Sequence, residues 1–433
     1  MHLSTALMVF LLIFILIFLL KMPIPMGMMT ACVFYFMVTG DSPKMVAQQT
    51  LKTFYTNYTI IAVPLFIFAA NIMNSGQVTD KVFGFAMGFV GRFKGGLGHV
   101  NVLASLIFSG MTGSAIADAS GLGKMEIDAM RAEGYDDGFS CAITAASATI
   151  GPIFPPSIPM VIYSMLSGAS VGALFMGGMV PAVLLAIALM IYVAYFAHKR
   201  NYPVSQKIGL VPFLKYSLTA IPAILTPVIL LVGIYTGVMT PTEAGAVAGL
   251  YALIVAVFGY RVLKWEGFKQ VLIDTVKGTG TTSIMIGAAT TISYIVAKEH
   301  VAEAVANFIT GFTDNKYVFL IIVNIAILIL GMFIDTSVIQ VVFVPILLPI
   351  ATAFGIDLVH FGLVVIFNMM IGLSTPPFGM LLFITSGISG TPLKDVIKEI
   401  LPPLVAMIIV LIIITYVPNV VLFLPRALMH YTG

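Results

Sequence analysis

The sequence predicts an all-α polytopic membrane protein of roughly ten transmembrane helices plus two re-entrant helical hairpins. Three observations predict it. Of the 433 residues 60% are hydrophobic and only 9% charged, against a charged share of about 25% in soluble domains. The apolar blocks reach the ~20 residues that cross a ~30 Å hydrocarbon layer. Charge-free runs such as Gly138 to Ala197 lack the strict alternation of an outer-membrane barrel, which leaves helices as the way to satisfy the backbone in lipid.

Taken in order, the hydropathy cuts full crossings at 3–20, 22–40, 56–73, 139–165, 169–197, 212–236, 242–260, 279–297, 359–387 and 402–424. The first run, Leu3 to Leu20, has no basic stretch before it and no small-residue cleavage site after it, so it reads as a retained helix,. Lys81–Lys94 is amphipathic and suits an interfacial arm,. Two further apolar stretches, 97–130 and 317–355, are interrupted mid-way by Gly, Ser, Thr and Asp. Such interruptions suit re-entrant hairpins packed inside protein, not lipid-facing helices. Cys32 and Cys141 lie in apolar segments with no CxxC partner and read as packing residues,.

Orientation follows from Lys and Arg in the short loops. The clusters are Arg92, Lys94, Lys124 and Arg131; His198, Lys199 and Arg200; Arg261, Lys264, Lys269 and Lys277; Lys394 and Lys398. If each hairpin enters and leaves on one side, alternation places every cluster in the cytoplasm and both termini outside. The chain then divides into two inverted repeats, 1–205 and 206–433. Hairpin 97–130 and a broken helix at 139–165 belong to the first; hairpin 317–355 and a broken helix at 359–387 belong to the second. Gly110–Asp118 answers to Gly331–Ser337, and Gly151–Pro156 to Gly372–Pro377, each offset by about 220 residues,. Inverted repeats meeting at broken helices are the signature of secondary transporters, because exchanging the conformations of the halves turns an outward-open state into an inward-open one.

Each Gly-x-x-x-Pro-Pro element, Gly151–Pro156 and Gly372–Pro377, sits inside an apolar crossing, where proline removes a backbone donor and unwinds the helix,. The freed carbonyls must face protein, water or a cation. The hairpin tips supply matching oxygens: Ser109, Thr112, Gly113 and Ser114 in the first, Asp335, Thr336 and Ser337 in the second. Sodium takes hard oxygens, so one sodium site per repeat is expected. Asp335, isolated among Ile325–Phe333 and Val338–Ile350, calls for a compensating cation, with Thr375 across the break as its partner,. Asp118 reads equally as a surface or capping carboxylate and as a functional one, since Lys124, Glu126 and Asp128 follow closely. Half-helix N-termini would receive an anionic substrate, with Ser114 and Thr336 as hydroxyl candidates and Ser157 and Ser374 at the breaks. Lys298 at the outer end of the eighth crossing reads as a snorkelling anchor in preference to a substrate contact.

Other classes fail on spacing or charge. The formal charge is +3 with dispersed basic residues, so no nucleic-acid surface is implied,. Gly121–Met125 resembles a phosphate loop only faintly, because the earlier glycine is Asp118 and Met125 follows the lysine,. The six histidines form no metal-ligand pairs,. An aspartyl dyad of Asp118 and Asp335 lacks the flanking residues of an intramembrane protease, so no enzyme is expected. A channel could also use re-entrant loops, but filters normally come from symmetric oligomers with open pores.

Gly113–Asp118, Gly151–Ser157 and Gly372–Pro377 resemble the motifs of the large membrane subunit of tripartite ATP-independent periplasmic (TRAP) transporters, of the sialic-acid permease type, and the resemblance covers essentially the whole chain. It implies an elevator-type, sodium-coupled carrier in the bacterial inner membrane that takes up an organic acid, sialic acid or alternatively a C4-dicarboxylate. It further implies two partners as separate chains, a periplasmic substrate-binding protein and a small membrane subunit. By the same resemblance the first sodium site draws on the tip at Thr112–Ala115 (Thr112, Ala115) and on Gly151, Ile153 and Pro156, largely through backbone oxygens. The second draws on Gly331, Asp335, Gly372, Thr375 and Phe378.

Overall fold

The computed structural model describes residues 4–20, 22–56, 58–74, 78–204, 209–311 and 313–432. Leu3 of the first expected crossing, residue 57 of the third and the expected repeat boundary at 205/206 lie outside the described residues. Every described element is helical, apart from an isolated bridge between Lys94 and Val204.

The first half runs α1 (Thr5–Leu19), α2 (Ile24–Thr39), α3 (Lys44–Thr56), a 3-10 turn (Tyr58–Ile61), α4 (Ala62–Asn74) and α5 (Val78–Val90). Hairpin one follows as α6 (Gly96–Thr112), α7 (Ala115–Gly121) and α8 (Gly123–Ala132). Next come α9 (Asp137–Ala148), α10 (Ile158–Ser167) and α11 (Val171–Lys199). The second half runs α12 (Leu210–Tyr235), α13 (Pro241–Ile254) with a π turn (Val255–Gly259), α14 (Trp265–Lys298) and α15 (Val301–Thr310). Hairpin two is α16 (Lys316–Gly331) and α17 (Thr336–Ala353), followed by α18 (Leu358–Leu373), α19 (Met380–Ser389), α20 (Leu393–Tyr416) and α21 (Pro418–Met429).

Among the described residues six helices are long and apolar enough to cross a membrane, or up to seven if the bent Lys44–Thr56 and Tyr58–Asn74 pair is one span. Several of the ten expected crossings are divided, the fourth and ninth at the breaks expected for them. The fourth and ninth are each two half-length helices, α9 with α10 and α18 with α19, and the tenth divides at Val417 between α20 and α21. At 1.5 Å per residue, the 15 residues of α1 span about 22 Å, less than a full hydrocarbon layer. One arm of hairpin two, α17, is itself among the six.

The largest buried core joins α9, α10, α11, α18 and α20 around Phe139, Phe175, Phe361 and Phe367. A second packs α1 and α2 on α14, and a third packs α4, α5, α12 and α13 around α6. Long α14 touches α2, α3, α4 and α17 and so borders both hairpin two and the surrounding helices.

Polar contacts recur at corresponding places in the two halves. Ser147 of α9 donates to Asn101 Oδ1 of α6 at 2.6 Å, and Asn368 of α18 donates to Asn324 Oδ1 of α16 at 2.9 Å. Three of the four regions carrying the basic clusters also meet one another. Arg200 bonds Asp136 at 2.9 Å and Glu399 at 2.8 Å, Arg131 bonds the Thr391 hydroxyl at 2.6 Å, and Lys94 bonds Asn201 at 3.1 Å. Contacts from α9, α11 and α20 therefore gather these charges at one end, where long stems can keep their heads in water.

Candidate functional site

Both tips and both breaks are built from residues that stop helices. In hairpin one, α6 ends at Gly113, whose φ of +60° suits glycine,. Ser114 then caps α7, accepting from Ala117 N at 3.4 Å,. A Cβ on Gly113 would strike the Pro156 carbonyl, and one on Gly151 would lie 3.3 Å from the Ser114 carbonyl carbon. The first tip thus seats directly on the first break. The second repeats the device: a Cβ on Gly331 would lie 3.0 Å from Gly372 Cα. Pro155-Pro156 and Pro376-Pro377 are both cis.

A cavity of about 180 Å³ opens where these parts meet,. Its wall includes Gly113, Ser114 and Ala115 from tip one, Pro152 and Ile158 from break one, and Asp335, Thr336 and Ser337 from tip two. Met370 and Leu373 close it beside break two, and Thr282 enters from α14. The N-terminal residues of α10 and α17, Ile158 and Thr336, lie on this wall, so the positive ends of two helix dipoles favour an anion there,. Asp335 puts a carboxylate on the same wall, so an anionic guest is favoured further when a cation neutralises that charge.

The structure brings Ser114 and Thr336 to this wall, but not Ser157 or Ser374. Ser157 caps α10, accepting from Met160 N at 3.3 Å and donating to Pro152 O at 2.5 Å. Ser374 donates to Ile371 O at 3.1 Å. Neither of these two expected substrate contacts lies on this wall; each hydroxyl is committed to the backbone at its break. Asp335 is half-buried and caps α17, accepting from Ser337 N at 2.9 Å. The helix N-terminus thus supplies part of the compensation assigned to a cation. No hydrogen bond joins Asp335 to Thr375 among the described residues; Thr375 donates to Ile371 O at 2.7 Å instead.

Among the other expected ion ligands, Thr112 is buried and its hydroxyl has no hydrogen-bond partner among the described residues. It lines a second, narrow cavity together with Pro156. That orphaned oxygen beside an unwound helix suits a hard cation. Ala115 lines the main cavity, Gly331 and Gly372 touch, and the Ile153 carbonyl packs on Gly178 of α11. Phe378 is exposed, its ring 5.4 Å from that of Phe333, so only its backbone remains available to an ion. Donors of this kind, carbonyls, hydroxyls and one carboxylate with no thiolate or imidazole on the cavity wall, fit sodium,.

Lys298 stands away from the cavity. It pairs with Asp41, and that hydrogen bond holds the Asp41 carboxyl below its ordinary value. Asp118 and Glu126 are both buried, so neither is a surface carboxylate, although Lys124 and Asp128 pair on the exposed face at 3.5 Å. Thr282 was not singled out by sequence reasoning. Its signal was the run Gly278–Ser283, Gly-Thr-Gly-Thr-Thr-Ser, inside an otherwise apolar helix,.

The chain matches the family model "Tripartite ATP-independent periplasmic transporter, DctM component" over residues 11–420. It is 40% identical to the sialic acid TRAP transporter large permease protein SiaM of Vibrio cholerae, covering 95% of this chain and 96% of that protein. Identity to the sialic acid TRAP transporter permease protein SiaT of Haemophilus influenzae is 38%, over 98% of this chain and 69% of that one. It is 37% to the C4-dicarboxylate TRAP transporter large permease protein DctM of Pseudomonas aeruginosa, over 89% and 91%. Among solved structures, the Alcanivorax borkumensis YdaH transporter superposes with a TM-score of 0.65 at 12% identity, covering 86% of this chain and 87% of that chain, a likeness of fold.

Proposed function

We propose that this chain, which belongs to the DctM-component family of tripartite ATP-independent periplasmic transporters and is a multi-pass protein of the inner membrane, couples entry of sodium to uptake of an organic acid. Sialic acid is the favoured substrate, since two relatives at 38% and 40% identity are named for it. The observation that carries the reading is the cavity shared by both tips and break one, which joins helix N-termini suited to a carboxylate with Asp335,. Sodium bound near Asp335 would remove the repulsion between two carboxylates, so ion and substrate would favour each other's binding, as coupling requires.

One sodium per repeat is proposed, the first around Thr112, Ala115, Gly151 and Pro156 and the second around Gly331, Asp335, Gly372, Thr375 and the Phe378 backbone. The repeats are 1–205 and 206–433, and the recurrence of the Asn101–Ser147 contact as Asn324–Asn368 supports the pairing. In an elevator reading, hairpins and broken helices move against a scaffold of α1–α5 and α12–α14, whose helices build the second and third cores. The proposed partners are a periplasmic substrate-binding protein and a small membrane subunit.

The test is uptake of labelled acid into proteoliposomes holding the complete transporter, with and without an inward sodium gradient. Asp335→Asn is the decisive variant, because asparagine still caps a helix while the charge is lost. Half-maximal uptake should require at least about tenfold more sodium, since a paired intramembrane charge is worth about 1–3 kcal/mol. Unchanged sodium dependence would reassign Asp335 as a cap alone.

The hairpins are proposed to open to opposite sides. Cys32 and Cys141 are buried and give little labelling background. Asp128→Cys should react with an impermeant maleimide only from the cytoplasm and Ala353→Cys only from outside; reaction of both from one side would reject the inverted arrangement.

A further inference from the structure

Hairpin one holds buried polar groups that neither proposed sodium site uses. Asn101 and Ser105 lie one turn apart on α6, facing Thr144 and Ser147 of α9. Asn101 Nδ2 donates to Thr144 Oγ1 at 2.7 Å, Ser147 Oγ to Asn101 Oδ1 at 2.6 Å, and Ser105 Oγ to Ser147 Oγ at 3.2 Å. All four side chains are buried. Thr144 continues the series by donating to Ser140 O at 2.9 Å, and Ser140 donates to the backbone of exposed Asp136 at 3.0 Å. The series therefore runs toward the end where Arg131 and Arg200 gather.

Along this series lie α7 and α8, which run on through Leu122 in right-handed helical conformation. They carry Asp118 and Glu126 two turns apart, each 1% exposed. Neither Asp118 oxygen has a hydrogen-bond partner among the described residues, nor has Glu126 Oε1. Ser105 of α6 lies beside Asp118, and Asp118 lies close enough to Glu126 for their charges to repel. The nearest cation in sequence, Lys124, is turned outward to Asp128.

An ionised carboxylate buried without a counter-ion costs several kcal/mol. A proton would cancel the charge, but its O–H could serve only one Asp118 oxygen, toward Ser105, and the other would stay without a donor,. A small hard cation held by the carboxylate and the Ser105 hydroxyl satisfies charge and coordination together. We propose that Asp118, with Ser105, is a monovalent-cation station in hairpin one, and that Glu126 is the next step on an ion path along the α6–α9 polar series toward the cytoplasm. The proposal rests on the sodium-coupled reading, and gives the ion released from tip one its exit.

The experiment uses the complete transporter in proteoliposomes and compares net sodium-driven uptake with exchange of substrate at equal sodium on both sides. Net uptake requires the ion to leave inward, whereas exchange does not. For Asp118→Asn, net uptake should fall at least about tenfold more than exchange does, the scale of losing one intramembrane charge contact. Ser105→Ala, which removes only a hydroxyl and keeps the proposal testable where the first variant fails to assemble, should shift the ratio in the same direction by about threefold. Equal losses in both assays, or wild-type behaviour of both variants, would overturn the station. Loss of a pH-dependent uptake component with sodium dependence intact would show that Asp118 takes a proton and would also overturn it. Sodium-independent uptake by the unmutated transporter would instead remove the underlying sodium-coupled reading.

Discussion

Gly372→Ala is expected to reduce sodium-driven uptake to less than about a tenth of the unmutated level, because the methyl group enters a contact between two backbones that overpacking penalises by about 1–3 kcal/mol. A Cβ at this position would stand 2.6 Å from Gly331 Cα and 2.8 Å from its carbonyl carbon. No flexible side chain stands between them to swing aside. Tip two and break two would have to separate, and with them the oxygens proposed for the second sodium. Gly387 on neighbouring α19 provides the control, since nothing lies within 4 Å of its Cβ position; Gly387→Ala should transport normally. Uptake per assembled transporter and the sodium concentration at half-maximal rate are the measurements, with gel-filtration profiles reporting assembly. Wild-type uptake by Gly372→Ala would show that close seating of the tip is not required.

The breaks were legible because an adjacent pair of prolines in an apolar run leaves a helix no local way to continue, and both Pro155-Pro156 and Pro376-Pro377 lie where α9 and α18 have ended,. Pro402 and Pro403 carry the same dipeptide, yet α20 passes through them. The carbonyls they orphan belong to Lys398 and Glu399, close to the exposed end of the helix, where solvent can satisfy them,. Residue type alone does not tell these cases apart; depth in the membrane does. The start of α14 was illegible for a related reason. Glu266, Lys269, Asp274 and Lys277 make its first turns polar, so hydropathy registers only the part from 279 onward although nothing breaks the helix. Glu126 could not be told from its charged neighbours by composition because burial follows helical phase, and it lies on the inward face of α8 while Lys124 and Asp128 lie outward,. Ser157 and Ser374 show the limit of reading hydroxyls as ligands: next to an unwound turn, the nearest unsatisfied group is the protein's own backbone.

Reconstituted by itself with an inward sodium gradient, this chain is expected to accumulate free substrate at near-background rates, rising at least about tenfold when a periplasmic binding protein and a small membrane subunit are added. Capture is the first reason. Among the described residues the helices are joined by short turns and loops, far below the ~40 residues at which a domain can begin to fold alone. On the proposed reading, capture of a dilute acid would fall to a separate binding protein that delivers it to the cavity between the tips. Support is the second. The proposed elevator would load its scaffold sideways, and α1, α2 and α12 present exposed apolar faces such as Leu12, Phe34 and Leu218 that the proposed small subunit would cover,. The H. influenzae relative is longer, this chain spanning 69% of it, which leaves room there for such an addition. Adding each partner separately divides the two requirements: without the binding protein uptake should fail at low substrate concentration and recover in part at high concentration, whereas without the small subunit it should fail at both. Strong accumulation by the isolated chain at low substrate would reject the need for partners while leaving sodium coupling to be judged by Asp335→Asn.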